Sequence, residues 1–334
     1  MHMVRVAING FGRIGRNFFR CAFGEKGIEI IAVNDLTDSA TLAHLLKHDS
    51  VHGKFSAEVK HEGSSLIVSG KKISVLSEKE PEKLPWGKMK IEVVIESTGV
   101  FCSKEGAGKH LVAGAKKVII TAPAKGTGVN EFVRGVNCGS YNGETIIDLA
   151  SCTTNSLAPV VMVLEKSFGI ECGLMTTVHA YTADQNLVDG PHRDLRRARS
   201  AAINIVPTTT GAASAIGNVL PAMKGKLDGL ALRVPVADGS ITDLTVLLKE
   251  EATASQVNFA MRRASEKELN GILQYSEEPL VSTDIIGNKH SCIFDSTMTR
   301  VSGGKLVKVL AWYDNEMGYS QRLVEMCKLV AVKK

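Results

Sequence analysis

The sequence predicts an α/β chain in two parts: a domain with a mostly parallel sheet over residues 1–150, then an α+β domain with a mainly antiparallel sheet over 151–315. A last helix over 316–334 is expected to pack back on the first part. Three observations carry this reading. The chain has 334 residues, more than one hydrophobic core usually serves. Its first 150 residues alternate short β-rich runs with helical patterns, as parallel sheets require. After Ser151, longer strand patterns are separated by tight turns such as Ala237 to Ser240, the texture of antiparallel pairing.

Met3 to Ile8 alternates and reads as the first strand. It stops at Gly10, Gly12 and Gly15, which fit G-x-G-x-x-G and open a helical pattern through Phe18, Phe19 and Ala22. A second apolar run, Ile28 to Val33, ends at Asn34 and Asp35. Strand, glycine turn, helix, strand and acid in that order form a Rossmann-type dinucleotide fingerprint. The first glycine permits the tight turn, the second lets backbone amides approach a pyrophosphate, and the third lets helix and strand pack closely. The pyrophosphate then rests on the positive helix end. Asp35, 20 residues after Gly15, is placed to accept hydrogen bonds from ribose hydroxyls and to repel a 2′-phosphate, which favours NAD over NADP. Further on, Val93 to Gly99 reads as a strand and turn, Gly106 to Ala115 as a helix, and Lys116 to Pro123 as another strand, so Thr98, Gly99 and Thr121 fall at strand carboxyl ends. In an open α/β sheet that edge forms the ligand crevice. In the second part Leu174 to Ala180, Leu230 to Val236 and Ile241 to Leu248 read as strands, and Met317 to Val330 as a helix.

Composition excludes several function classes. Charged residues at 22% and hydrophobic ones at 44% are ordinary globular values. The N-terminus reads as a strand rather than a signal peptide, and no apolar run approaches the roughly 18 residues that span a bilayer, so a cytoplasmic location is expected. The seven cysteines are odd in number and contain no C-x-x-C, against a disulfide framework or a zinc knuckle. His44, His48 and His52 recur every four residues, but Asp49 to Gly53 reads as a helix exit that puts His52 outside, and no metal site is expected. The densest basic stretch, Arg193 to Arg199, holds four arginines in seven positions and suits phosphate binding. It lacks the interleaved aromatics of a single-strand groove, so no nucleic-acid partner is required.

Cys152 lies in Ser-Cys-Thr-Thr-Asn at a strand exit, where a thiol is neither core nor crosslink. A nucleophile explains it. A free thiol has a pKa near 8.5 and is only a few per cent thiolate at neutral pH, so an adjacent base or helix end has to activate it. With Ser156 read as a helix N-cap, Pro159 takes the third helical position, where no intrahelical amide is lost. Cys152 then precedes the helix by about a turn and gains little from its dipole. Among nine histidines, His179 has the best context as base, because it ends a β-rich run. Thr182, Arg196, Arg197, Arg199, Arg233 and the Thr208 to Gly211 turn are groups suited to oxyanions. Together these residues suggest oxidation of a phosphorylated carbonyl compound with NAD.

The chain resembles the phosphorylating glyceraldehyde-3-phosphate dehydrogenases of bacterial and organellar type from end to end. INGFGRIGR, ESTGVF, TAPAKG, ASCTTNSLAP, VHAYTADQ, DLRRARSAAINIVPTTTGAA, RVPVADGSITDL and WYDNEMGYS carry the likeness. It implies oxidation of D-glyceraldehyde 3-phosphate to 1,3-bisphosphoglycerate with reduction of NAD, in glycolysis and gluconeogenesis. In that scheme Cys152 forms a thiohemiacetal, His179 is the base, and inorganic phosphate resolves a thioester. By the same resemblance Thr182 and Arg233 hold the substrate phosphate, Ser151, Thr153, Thr210 and Gly211 the attacking phosphate, with Arg197 alongside and Arg196 and Arg199 as substitutes for it. Arg13, Ile14, Asp35, Lys79, Thr121 and Asn315 match cofactor contacts, with Asn315 orienting the carboxamide. A homotetramer is implied.

Two departures from the family pattern qualify the transfer. Ser156 stands where many relatives have a second cysteine, and Gly190 stands before Pro191 where several NAD-selective relatives have leucine, which leaves NADP tolerance open. An erythrose-4-phosphate dehydrogenase, a non-catalytic NAD- or RNA-binding protein and a cysteine hydrolase are the alternatives to be separated from this reading.

Overall fold

The computed structural model describes residues 3–332. The chain divides into two compact units, one made of Met1–Phe132, Ser140–Ala150 and Ser320–Lys334, the other of Val133–Gly139 and Ser151–Tyr319. Residues 333 and 334 of the expected last helix lie outside the described residues.

The first unit holds strands β1 (Val4–Asn9), β2 (Ile28–Asn34), β3 (Val59–His61), β4 (Ser65–Val68), β5 (Lys71–Leu76), β6 (Val93–Glu96), β7 (Lys117–Ile120), β8 (Asn130–Glu131) and β9 (Ile146–Asp148). They form one sheet in the order β3-β4-β5-β2-β1-β6-β7-β9-β8. Pairing is parallel throughout, apart from the β3-β4-β5 edge, which is antiparallel. Helices α1 (Arg13–Ala22), α2 (Ser39–Lys47) and α3 (Lys104–Val112) cross between strands. The order turns at β1, which pairs β2 on one side and β6 on the other, so the crevice expected at a topological switch point opens beside the glycine turn. Its tightness is steric. Gly10 has φ +89°, and a Cβ there meets the Thr98 amide at 2.7 Å; a Cβ on Gly15 meets the Gly10 carbonyl oxygen at 2.2 Å.

The α2 helix ends at Lys47 with His48 as its C-cap, so His52 lies outside it, as the Asp49 turn signalled. Loss of hydration, with His44, Lys47 and Lys54 nearby, pushes the His48 ring below its ordinary value.

In the second unit, α4 (Cys152–Phe168) leads into β10 (Ile170–Ala180), then β11 (Val206–Thr209), α5 (Ala212–Val219), β12 (Leu227–Val234), β13 (Ser240–Leu248), α6 (Ala254–Glu266), β14 (Leu273–Ser276), β15 (Cys292–Ser302) and β16 (Leu306–Tyr313). Its sheet runs β11-β12-β10-β13-β16-β15-β14. The β10-β12 and β14-β15 pairs are parallel and the rest antiparallel. The final helix, α7 (Met317–Val332), begins at the end of this unit's sequence, and from Ser320 onward it counts with the first unit.

The start of α4 corrects the reading from Pro159. The N-cap is Ser151, whose Oγ accepts from the Thr154 amide at 3.0 Å, and Pro159 is inside the helix. Cys152 is therefore the first helical residue, where the positive helix end acts on it directly.

Candidate active site

The second unit brings Cys152 and His179 together. The α4 N-terminus presents the Cys152 Sγ 3.5 Å from His179 Nε2. His179 is near the end of β10 and only 3% exposed. Its Nδ1 lies 2.6 Å from the Ala180 carbonyl, which can only accept, and 3.2 Å from Arg233 Nη1, which can only donate; the shorter carbonyl contact favours the proton on Nδ1. Nε2 is then the basic nitrogen, and it faces sulfur. The parallel register of β10 and β12 pairs His179 with Arg233. Arg233 Nη1 donates to the Ala180 carbonyl at 3.1 Å and to Thr182 Oγ1 at 2.8 Å.

Burial pushes the Cys152 thiol up, while Arg233 and Thr153 pull it back. Burial and Arg233 together push His179 down to about 3. A proton moved from Sγ to Nε2 creates both charges at once, 3.5 Å apart, and their attraction offsets much of what each desolvation costs.

Tyr313 braces this pair, and nothing local in the sequence singles it out. Its buried hydroxyl meets Thr153 Oγ1 at 2.9 Å and Thr177 Oγ1 at 2.8 Å. The first is on α4 beside Cys152, the second on β10 two residues before His179. The Tyr313 ring meets the His179 ring edge to face, centroids 5.9 Å apart.

Around Arg233 the structure separates the three candidate arginines. Arg197 Nε donates to Thr208 Oγ1 at 2.9 Å, and its Nη1 pairs with Asp184. Arg199 pairs with Asp189 at the surface, and Arg196 is exposed. Asp184, absent from the sequence expectations, also takes the Thr182 hydroxyl. Burial works to raise its carboxyl, but Thr182, Arg233 and Arg197 outweigh that and hold it below its ordinary value. Asp184 thus occupies anion-binding groups with its own charge. Thr210 and Gly211 lie where β11 gives way to α5, whose N-cap, Gly211, supplies no side-chain bond. Strand β11 in turn pairs with the Arg233 strand at Val206. Ser151 caps α4. Asn315 is buried, its Oδ1 accepting from Ser240 Oγ at 2.7 Å. Gly190 packs on Asn186, whose Nδ2 would stand 3.2 Å from an added Cβ. Ser156 is buried one turn beyond Cys152, and all seven cysteines are free.

The first unit carries its own cavity, of about 450 Å³, with Gly10, Gly12, Asp35, Lys79 and Thr98 in its wall beside Asn9, Asn34 and Glu78. Gly15 packs beneath the turn. Ile14 is half-buried in the first turn of α1, and Arg13 is tied to Asp49 at 2.6 Å. Thr121 donates its amide to the Glu96 carbonyl at 3.0 Å and, like Gly99, lies at a strand exit outside the cavity wall. The residues fit a dinucleotide. Helix α1 has no side-chain cap at Gly12, and a Cβ on Gly12 would meet nothing within 4 Å, so no side chain covers the positive helix end at that point. The Asp35 carboxylate stands at the rim, Oδ2 accepting from the Phe11 amide at 2.7 Å. The aligned amides suit a pyrophosphate and the carboxylate a ribose diol.

Comparison with known proteins gives these two sites their context. Residues 4–104 match a family model described as glyceraldehyde 3-phosphate dehydrogenase, NAD binding domain, and residues 151–315 match one described as the C-terminal domain of the same enzyme. The chain is 55% identical over 332 residues to the glyceraldehyde-3-phosphate dehydrogenase of Geobacillus stearothermophilus, covering 99% of each. It is 56% identical to that of Streptomyces coelicolor, covering 98% of each, and 55% identical to glyceraldehyde-3-phosphate dehydrogenase 1 of Bacillus subtilis, covering 99% of each.

Proposed function

From the premise that this chain belongs to the glyceraldehyde-3-phosphate dehydrogenase family, we propose that Cys152 and His179 carry its NAD-linked oxidation of glyceraldehyde 3-phosphate. The contact between Sγ and Nε2, 3.5 Å, is the observation that supports this assignment most. With its proton on Nε2, the Cys152 thiolate adds to the aldehyde carbon, and the resulting alkoxide takes that proton to give a thiohemiacetal. His179 then removes the hydroxyl proton as hydride leaves, and the product is a thioester. Bound NAD supplies the hydride acceptor. Inorganic phosphate attacks the thioester carbonyl, the C–S bond breaks, and the acyl phosphate departs while sulfur returns as thiolate.

In this proposal Thr182 and Arg233 hold the phosphate of the substrate, and Ser151, Thr153, Thr210 and Gly211 with Arg197 hold the attacking phosphate. Gly10, Gly12, Arg13, Ile14, Gly15, Asp35, Lys79, Thr98, Gly99, Thr121 and Asn315 serve the cofactor. The 1–150 part is the dinucleotide-binding domain, completed by the last helix, and 151–315 the catalytic domain. We propose a homotetramer in the cytoplasm. Leu187, Val188, Leu195, Ile203 and Ile205 are exposed along the arginine loop, a run of apolar surface that favours contact with another copy. No helix among the described residues is long and apolar enough to cross a membrane.

The test compares NADH formation from glyceraldehyde 3-phosphate and erythrose 4-phosphate, each with and without inorganic phosphate. Phosphate-dependent turnover of the three-carbon substrate is expected, with rapid, stoichiometric and NAD-sensitive alkylation of Cys152. Preference for the four-carbon sugar, or labelling of Cys152 no faster than of exposed Cys172, overturns the assignment.

A further inference from the structure

The walls of the first unit's cavity come from four strand exits: Gly10 and Gly12 after β1, Asp35 after β2, Glu78 and Lys79 after β5, and Thr98 after β6. Beneath them runs one buried chain of hydrogen bonds. Asn34 Nδ2 donates to Asn9 Oδ1 at 2.7 Å and to the Glu78 carbonyl at 2.9 Å, while its Oδ1 accepts from the Glu78 amide at 2.9 Å. The Asn34 carbonyl accepts from the Gly10 amide at 2.8 Å. Asn9 Nδ2 donates to Glu96 Oε2 at 2.6 Å, and Glu96 Oε1 accepts from the amide and hydroxyl of Thr98.

Behind Glu96 stand two residues that do not themselves line the cavity, Trp86 and His110, the second of them in contact with Asn9 and Phe101 of its wall. Trp86 Nε1 donates to His110 Nδ1 at 3.0 Å. An indole N–H can only donate, so Nδ1 is the unprotonated nitrogen. The ring proton is on Nε2, where it is given to Glu96 Oε2 at 2.9 Å. Trp86 and His110 are 0% exposed and Glu96 1%.

Apolar side chains would fill this space without the cost of desolvating a carboxylate. They would not fix the directions of four backbone exits, which hydrogen bonds of defined geometry do. We infer that Asn34, Glu96, His110 and Trp86 are positioning residues for the dinucleotide: through this chain they hold the glycine turn, the Lys79 loop and Thr98 in register, and so set the affinity for NAD. The inference rests on the reading of this cavity as the cofactor site.

The test measures NAD binding by calorimetry on the full chain, with AMP as a probe of the adenosine half. Asn34→Ala is expected to raise the Kd for both by about tenfold to a hundredfold, the loss that follows a broken buried hydrogen bond. Asn34→Asp, which keeps the acceptor for Glu78 but loses both donations, is expected to behave in the same way and serves if the alanine variant does not fold. Trp86→Phe removes one donor at the far end of the chain, and its mark is a rise in KM for NAD without a matching fall in kcat. A packing role alone would lower the melting temperature of these variants while leaving both constants in place. NAD affinities within twofold of the parent in folded Asn34→Asp and Trp86→Phe overturn the inference. Failure of the Cys152 assignment shows separately, as slow alkylation in the absence of NAD, and leaves these binding constants readable.

Discussion

At position 179 the nitrogen facing sulfur is the one that the Ala180 carbonyl leaves without a proton, so the ring is set to receive one. Replacing His179 by Asn removes that acceptor. Hydride transfer is expected to slow by about 10² to 10⁴-fold, as for a lost general base, and Cys152 alkylation at neutral pH by roughly 30-fold as the thiolate fraction falls; stopped-flow NADH formation and iodoacetamide labelling measure the two. Asp35 is also a single-residue matter. Asp35→Ala is expected to shift the NAD to NADP preference toward NADP, because a charge opposing a 2′-phosphate is lost. It is also expected to weaken both cofactors, because Oδ2 holds the Phe11 amide. The ratio of kcat/KM values for the two cofactors checks the first effect, and an unchanged ratio would place Asp35 away from the ribose. Cys152, His179 and Asp35 were legible because each stands in a local pattern, a strand exit or a fixed spacing from glycines. Tyr313, Asp184 and Glu96 were not. Their roles come from contacts such as Thr153 to Tyr313, 160 positions apart, and no spacing rule reaches that far.

The element that misled was α4. A proline inside a helix costs an amide and a clash, so placing it in the first turn was the economical reading, yet the helix runs seven residues before Pro159. What fixes the start is upstream. Ala150 has φ +54°, and its amide donates to Asp148 Oδ1 at 2.8 Å, which turns the chain sharply from β9 into the Ser151 cap. Ala150→Val is expected to destabilise by about 2 kcal/mol or more, since a β-branched residue resists the left-handed region and the site is fully buried. Ala150→Gly is expected to stay within about 1 kcal/mol of the parent, and chemical denaturation distinguishes the two. The strands were easier to foresee. Ile241 to Leu248 reads as a strand, and the structure buries every second residue of β13. What alternation did not give was the neighbour, and it is the parallel β10-β12 register that sets Arg233 beside His179.

For the whole molecule, buried titrating groups shape the stability curve from both sides. His179 falls from 6.5 to about 3 on folding. As pH drops below about 6.5 the unfolded chain takes the proton first, and this group's contribution drains away toward pH 3. Burial, reinforced by Glu131, raises Asp148 from 3.8 to about 7. Above pH 3.8 the unfolded chain ionises while the folded one keeps its proton, so stability falls as pH rises to about 7 and is level beyond. Urea unfolding of the parent and of Asp148→Asn across pH 4 to 8 is expected to show the second decline in the parent only; equal slopes would mean that Asp148 ionises freely in the fold. At this scale the order of a parallel half and an antiparallel half was readable, because each leaves its own periodicity. The return of the last helix to the first part was expected, but the inclusion of 133–139 in the second unit was not, since segment exchange depends on packing rather than on pattern.

That exchange has a consequence for synthesis. Leu323, Val324, Met326 and Cys327 are wholly buried, and Lys328 reaches Glu25 at 2.8 Å, so the unit begun by β1 is incomplete until the much later α7 has been synthesised. Until that helix is made, the partners of these side chains in the first unit stand bare, and a chaperone that shields such apolar surface would find its client there rather than in the finished enzyme.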